Sequence, residues 1–336
     1  VSLLTSYRLR LMRRRWLIRA RRKGRELTPL ADRTDQIGNR SILLFCTLRN
    51  EKPRLAYFLK YYRDLGVEHF IFVDNGSEDG SAEYLAEQPD TSVFRTEASY
   101  KASRFGMDWM NALLRRYAQD NWALTVDVDE FFLYPFCDTR PLRALTDWLD
   151  DAGVRSFGTI LLDVYPRGPV NQRPCVEGQN PLEIASWFDS ANYAISRNQR
   201  FRNLWIQGGP RARAFFADQP KAAPALNKIP LVKWQRGYAY VSSTHMLLPR
   251  GLNLTYDTIG GEKASGCLLH AKFLATLGDK AQEELARGEH YREGREYAAY
   301  ARGLDDTTDL WTKWSERFIN WRQLEIMGLM SKGNWA

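Results

Sequence analysis

The sequence predicts an α/β fold: a Rossmann-like, mostly parallel sheet with helices on both faces. Two observations predict it. Short apolar runs alternate with helical patterns over residues 41–130, at the spacing of crossover connections. Three of those runs end in polar clusters, at Thr47–Glu51, Asp74–Asp79 and Asp127–Glu130. Ligands bind beyond the carboxyl ends of parallel strands, so the three clusters are expected to share one edge.

Ser41–Thr47 (SILLFCT) reads as a buried strand. Pro53–Leu65 reads as a helix, with Leu55, Phe58, Leu59, Tyr62 and Leu65 on one face. Pro53 suits its first turn and Gly66 its C-cap. His69–Val73 is the second strand. NGSEDGS is a turn, in which Ser77 or Asp79 can cap a short helix over Ser81–Glu87. Ser92–Arg95 is the third strand, Ala102–Gln119 a helix, and Trp122–Val126 the fourth strand, ending on Asp127. Beyond residue 135 the alternation stops. Gly158–Val164 and Tyr238–Leu248 read as strands and 166–235 as irregular loops. Asp279–Gly303 reads as a polar helix, and Leu310–Met327 as a helix with an aromatic stripe of Trp311, Trp314, Phe318 and Trp321. The expected divisions are a basic arm over 1–38, a main unit over 39–275 whose halves meet at 135/136, and a helical extension over 276–336.

Composition is that of a globular chain, with 44% apolar and 26% charged residues and neither a solenoid repeat nor a low-complexity tract. The formal charge of +8 is unevenly placed. Residues 1–25 hold ten basic residues and no acid, which leaves −2 on the remainder. Such an arm suits an anionic membrane surface, with RNA as an alternative use and a solvated tail as the plainest one. Cys46, Cys137, Cys175 and Cys267 show neither zinc spacing nor a disulfide framework. No run approaches a membrane span, and no apolar block of a signal peptide follows the basic start. A cytoplasmic protein, peripheral on the inner membrane face, is the expectation; nucleic acid is not the expected partner.

Asp127-Val128-Asp129 carries the functional argument. Two aspartates at i and i+2 after a buried strand can face one point, where bare carboxylates repel. Mg²⁺ or Mn²⁺ resolves the repulsion, takes phosphate oxygens from a substrate, and neutralises a leaving diphosphate.

SILLFCTLRNE, HFIFVDNGSEDGS and LTVDVDEFF resemble the nucleotide-binding half of family 2 glycosyltransferases, in particular the subgroup with a DxDEF motif. The resemblance covers residues 41–135 and continues weakly through GGPRARAF, LNKIPLVKW, STHMLLP and LLHAKF. It implies a GT-A fold, a nucleotide-diphosphate-sugar donor, a glycan or lipid-linked acceptor, and inverting chemistry. It implies that Thr47, Arg49 and Glu51 meet base and ribose. Asp74 would contact the base, Asn75, Ser77 and Asp79 would shape the loop beside it, and Asp127 and Asp129 would hold the metal, with Glu130 behind them.

Of four histidines, His245 and His270 lie beside apolar runs and are candidates to complete the metal site. Lys272 and Lys228 are diphosphate candidates, and Arg211 and Arg213 phosphate or acceptor candidates. An inverting transferase needs a carboxylate to take the acceptor proton. Asp163 is the first choice, ahead of Glu177, Glu183 and Asp189. A haloacid-dehalogenase-like phosphotransferase also carries DxD after a strand. It wants Thr or Val where Phe131 stands, in the first strand of its domain. A nonenzymatic binding module would leave the aspartates unexplained.

Overall fold

The computed structural model describes residues 3–172, 175–257, 262–274, 300, 303, 305 and 307–335. The chain opens with helix α1 (Leu3–Lys23) and strand β1 (Thr28–Ala31). Then come β2 (Ile42–Leu48), α2 (Lys52–Leu65), β3 (His69–Asp74), α3 (Ser81–Ala86), β4 (Thr91–Arg95), α4 (Met107–Tyr117) and β5 (Trp122–Thr125). This is the expected alternation. One helix starts late, because Arg104, Phe105 and Gly106 take left-handed backbone conformations that no α-helix admits.

Next are β6 (Glu130–Leu133), α5 (Leu142–Asp151), β7 (Ser156–Tyr165), α6 (Pro181–Ile184), β8 (Trp187–Asp189), β9 (Tyr193–Arg197), β10 (Leu204–Gly208) and α7 (Gly209–Phe215). β11 (Asn227–Lys233), β12 (Ala239–Ser242), β13 (Met246–Leu248), β14 (Gly266–His270), β15 (Ser315–Arg317) and α8 (Trp321–Ile326) follow. The span 166–235, expected to be irregular, thus contains four strands and two short helices. The helix expected over Leu310–Met327 is a strand and a short helix instead. Trp321 is buried, but Trp314 is 75% exposed, so the aromatic stripe is not one packed face. The polar helix expected over Asp279–Gly303 lies almost wholly outside the described residues.

The main sheet runs β1-β4-β3-β2-β5-β11-β7-β14-β6, with β8 paired to β7 and β15 to β8. Strands β4, β3, β2, β5, β7 and β14 point one way; β1, β11 and β6 oppose them. The chain moves outward from β2 to β3 and β4, then returns to place β5 on the other side of β2. A crevice is expected where strand order reverses in this way. At that edge the parallel strands contribute their last residues. The opposed strands β11 and β6 contribute their first.

The core fills both faces of the sheet. Leu55, Phe58, Leu59 and Tyr62 of α2 are fully buried against one face. Trp109, Met110 and Leu114 of α4 cover the other. Tyr62 also fixes β6: its hydroxyl donates to Glu130 O at 2.7 Å and accepts from Phe132 N at 3.1 Å. The 321–335 segment joins the same core, with Trp335 packed on Phe136 and Trp148. The four cysteines are free thiols. Among the described residues no helix is long and apolar enough to cross a membrane.

Candidate functional site

The sequence V-D-V-D sets the local geometry after β5. Val126 and Val128 are 3% exposed and anchor the turn in the core. The alternating aspartates therefore leave it: the Asp127 side chain is 61% exposed and that of Asp129 20%. The turn closes with Glu130 N–H donating to Asp127 O at 3.1 Å and Asp127 N–H donating to the Glu130 carboxylate at 3.3 Å.

Strand register brings three further groups to one point. His270, the last residue of β14, lies opposite Glu130 of β6 and Asp163 of β7. Residues directly opposite share a sheet face, and the contacts agree. His270 Nδ1 is 2.6 Å from Asp163 Oδ1, and its Nε2 is 3.3 Å from Asp129 Oδ2. Arg211, on α7, donates from Nε to Asp163 Oδ2 at 2.7 Å. Arg54, in the first turn of α2, lies 3.6 Å from Asp129. Lys228, the second residue of β11, reaches Glu130 at 2.9 Å and Asp127 at 3.7 Å.

The electrostatics follow from burial set against pairing. Burial alone would raise the Asp129 carboxyl, but His270, Arg54 and Lys272 hold it well below the usual range. Burial likewise opposes charge on His270, yet Asp129 and Asp163 outweigh it and push its pKa up to about 9. Burial disfavours the Asp163 carboxylate, and Arg211 and His270 overcome it, so its pKa falls. Lys228 loses solvation but gains more from Glu130 and Asp127, which raises its pKa. The sequence suggested two bare carboxylates in need of a cation. Instead the fold surrounds them with its own arginine, lysines and imidazole.

The donor set nonetheless fits a divalent ion in part. Asp127 and Asp129 offer oxygens. His270 is oriented through its Nδ1 by Asp163, the carboxylate–histidine arrangement that aims the other ring nitrogen at a metal. Among the described residues no three acidic, histidine or cysteine side chains form a ready-made cage. Mg²⁺ and Mn²⁺ sites commonly have one or two carboxylates and take the rest from substrate oxygens.

Several expected residues are placed differently. Asp163, expected to be the base, is 1% exposed with both oxygens engaged, so it cannot meet an acceptor hydroxyl. Asp189 is held by Arg213 at 2.7 Å and accepts from the Tyr165 hydroxyl. Arg211 and Arg213 are therefore each paired with a buried carboxylate. His245 hydrogen-bonds through Nδ1 to Asn227 O at 2.6 Å and lies beside Trp205, so no described contact joins it to the aspartates. Asp74, expected to touch a base, is fully buried and accepts from Ser77 N at 3.2 Å, which closes the turn after β3. Asn75 donates its amide to Thr96 O and Ala98 O, each at 3.0 Å, and so braces the loop.

The first cluster lies at the carboxyl end of β2. Thr47 Oγ1 is buried with no hydrogen-bond partner among the described residues, and faces Gly106. Arg49 donates to Asn75 O at 3.1 Å and lies 3.5 Å from Glu78. Glu51, the N-cap residue of α2, is 3.8 Å from Arg54. Lys272 acts on Asp129 by charge and lies 5.1 Å from the Tyr300 ring centroid. Sequence reasoning missed Arg54. Its position in the first turn of the helix after β2 was the available signal.

No family model matches the chain. The chain is 31% identical over 102 residues to a glycosyltransferase family 92 protein of Arabidopsis thaliana, a match covering 28% of this chain and 16% of that relative's length. Among solved structures, a mannosyltransferase of Pyrobaculum calidifontis in complex with GDP-Man and Mn²⁺ is 18% identical, covering 46% of this chain and 44% of that one at a TM-score of 0.29. A 4-diphosphocytidyl-2C-methyl-D-erythritol synthase is 16% identical, covering 43% and 67% at 0.26. Overlaps at such scores carry no argument about chemistry.

Proposed function

We propose that this chain is a glycosyltransferase that moves a sugar from a nucleotide-diphosphate donor to a glycan or lipid-linked acceptor. One observation carries the reading. Beyond the carboxyl end of β5, next to β2 in the sheet, an exposed Asp127 and a half-buried Asp129 stand beside an imidazole that Asp163 orients. The likeness to the family 92 relative supports the same activity.

In this reading Asp127 and Asp129, with His270 Nε2 after loss of its proton, would hold Mn²⁺ or Mg²⁺ together with oxygens of a donor diphosphate. Such an ion, when bound, would supply positive charge to a departing diphosphate. The other tasks fall to the chain's own side chains. Lys228 and Lys272 supply positive charge beside the aspartates and attract the diphosphate. Thr47 Oγ1 is an unused buried hydroxyl at the β2 end, available to the nucleoside. Asp163 positions His270 and takes no proton. An inverting reaction then draws its base from the exposed carboxylates Glu177 and Glu183.

Thermal unfolding followed with UDP-, GDP- and other nucleotide sugars, each with Mn²⁺ or with EDTA, tests the proposal. Ligand that binds only the native state raises the transition temperature. A rise that needs both nucleotide and metal, and that Asp127→Ala abolishes, is expected. Turnover of generic phosphoesters with no response to any nucleotide sugar would sink it in favour of a phosphotransferase.

A further inference from the structure

Helix α1 is anchored on one side only. Leu9 is 4% exposed and joins Phe201, Met246 and Leu248 in a small apolar cluster. Ala20 is fully buried. Arg19 donates to Asp108 on α4 at 2.9 Å, and the Trp16 ring lies 4.0 Å beneath the Arg104 guanidinium. At about 100° per residue, Leu3, Leu4, Tyr7, Leu11 and Ile18 fall on the opposite side. Their exposures are 90%, 66%, 59%, 46% and 47%, so the stripe faces away from the body of the protein.

Arginines flank and interrupt that stripe. Arg8, Arg10, Arg14, Arg15, Arg21 and Arg22 are exposed, and no described hydrogen bond or ion pair neutralises any of them. Beside the helix lies a groove of about 260 Å³, lined by Ser6, Leu9, Arg10, Arg13, Leu248, Pro249 and Arg250. Arg250, one of the lining residues, has its Nη1 buried without a hydrogen-bond partner among the described residues. A shielded guanidinium nitrogen left unpaired is costly unless an acceptor arrives. Two further arginines at the same groove make that acceptor an anion.

We infer that the outer face of α1 docks on an anionic lipid surface, with the apolar stripe entering the headgroup boundary and a lipid phosphate seated between Arg10, Arg13 and Arg250. An apolar strip bordered by unpaired arginines matches such a surface in both polarity and charge. A nucleic acid would answer the charge but not the five exposed apolar side chains. The inference is independent of the reading of Asp127 and Asp129.

Co-sedimentation of the full chain with vesicles is the test. Phosphatidylcholine vesicles are compared with phosphatidylcholine–phosphatidylglycerol vesicles. Binding to the anionic vesicles alone is expected, lost in about 1 M salt, where screening is nearly complete. Leu4→Ser with Leu11→Ser should release the protein while circular dichroism stays unchanged. Replacing exposed arginines by Gln should weaken partition on the order of fivefold per residue. Arg250→Gln should weaken it without altering its dependence on the apolar stripe. Equal binding to neutral vesicles, or none to either, overturns the inference. So does tight binding of polyuridylate RNA without vesicle binding, or displacement by inorganic phosphate at matched ionic strength, which would make the groove a free-anion site.

Discussion

Arg211 and Arg14 are the same side chain in opposite circumstances. Arg211 is 4% exposed and bonded to a carboxylate that is itself 1% exposed. Arg14 is exposed on α1, with no charge partner among the described residues. Around Asp129 the charges are interlocked: Arg54, His270, Asp163 and Arg211 form one chain of contacts. On the outer face of α1 the exposed arginines, unlike Arg19 with its bond to Asp108, have no charge partner among the described residues. In the first region a charge is held by its neighbours, and losing one strands another in low dielectric. In the second region water does that work, and each loss is local.

The largest expected effect breaks the interlocked chain. Asp163→Ala leaves Arg211 without its bonded carboxylate and His270 without its guide. Breaking a buried pair from one side costs about 3–5 kcal/mol. Urea denaturation should show this as a lowered midpoint. Asp127→Asn in the same cluster should change stability by no more than about 0.5 kcal/mol, because its side chain is mostly exposed. It should nonetheless remove the metal-dependent response to donor. Equal destabilisation by the two changes would show that the cluster is not divided into a structural and a functional half.

An intermediate case sharpens the contrast. Arg63 holds Asp90 through two hydrogen bonds, 2.7 and 2.6 Å long, at a partly exposed site. Burial opposes the Asp90 charge, but Arg63 prevails and lowers its pKa. The stabilisation is therefore complete above the unfolded carboxylate's pKa and is lost as pH falls through the lowered folded value. Arg63→Ala should cost about 1 kcal/mol at neutral pH, and this difference should shrink on acidification. A difference that grows in acid would reverse the assignment. Arg19→Ala should cost a similar or smaller amount, since Arg104, 2.8 Å from Asp108, continues to compensate that carboxylate. Its signature is faster amide exchange in α1, with the sheet unaffected.

The same contrast explains what could be read from the sequence. β2, β3 and β5 were legible because each is an apolar run closed by its own turn chemistry, a local signal. Asp127 and Asp129 were legible because valines alternate with them. Asp74 was only half legible: an acid ending a strand looks like a ligand, and nothing local tells that its carboxylate also closes the turn through Ser77 N. The bond between Asp163 and His270 spans 107 positions in sequence and depends on β14 lying beside β7. No periodicity encodes that neighbour. Arg54 was missed for a related reason, since an arginine on an amphipathic helix ordinarily faces water. β9, β10 and β11 lie in a stretch rich in Pro, Gly and Asn, where turn composition hid the strands.

The smallest expected effect tests the other half of the comparison. Arg14 and Arg22 on α1 share no described partner, so each change to Gln should shift stability by no more than about 0.5 kcal/mol. The double variant should equal the sum of the singles within about 0.3–0.5 kcal/mol, as for independent sites. Urea midpoints of the three variants measure this. A coupling above that range would mean the two guanidiniums share a bound group even in dilute solution. The outer face of α1 would then be no open surface, and its arginines would belong with Arg211 among the held charges.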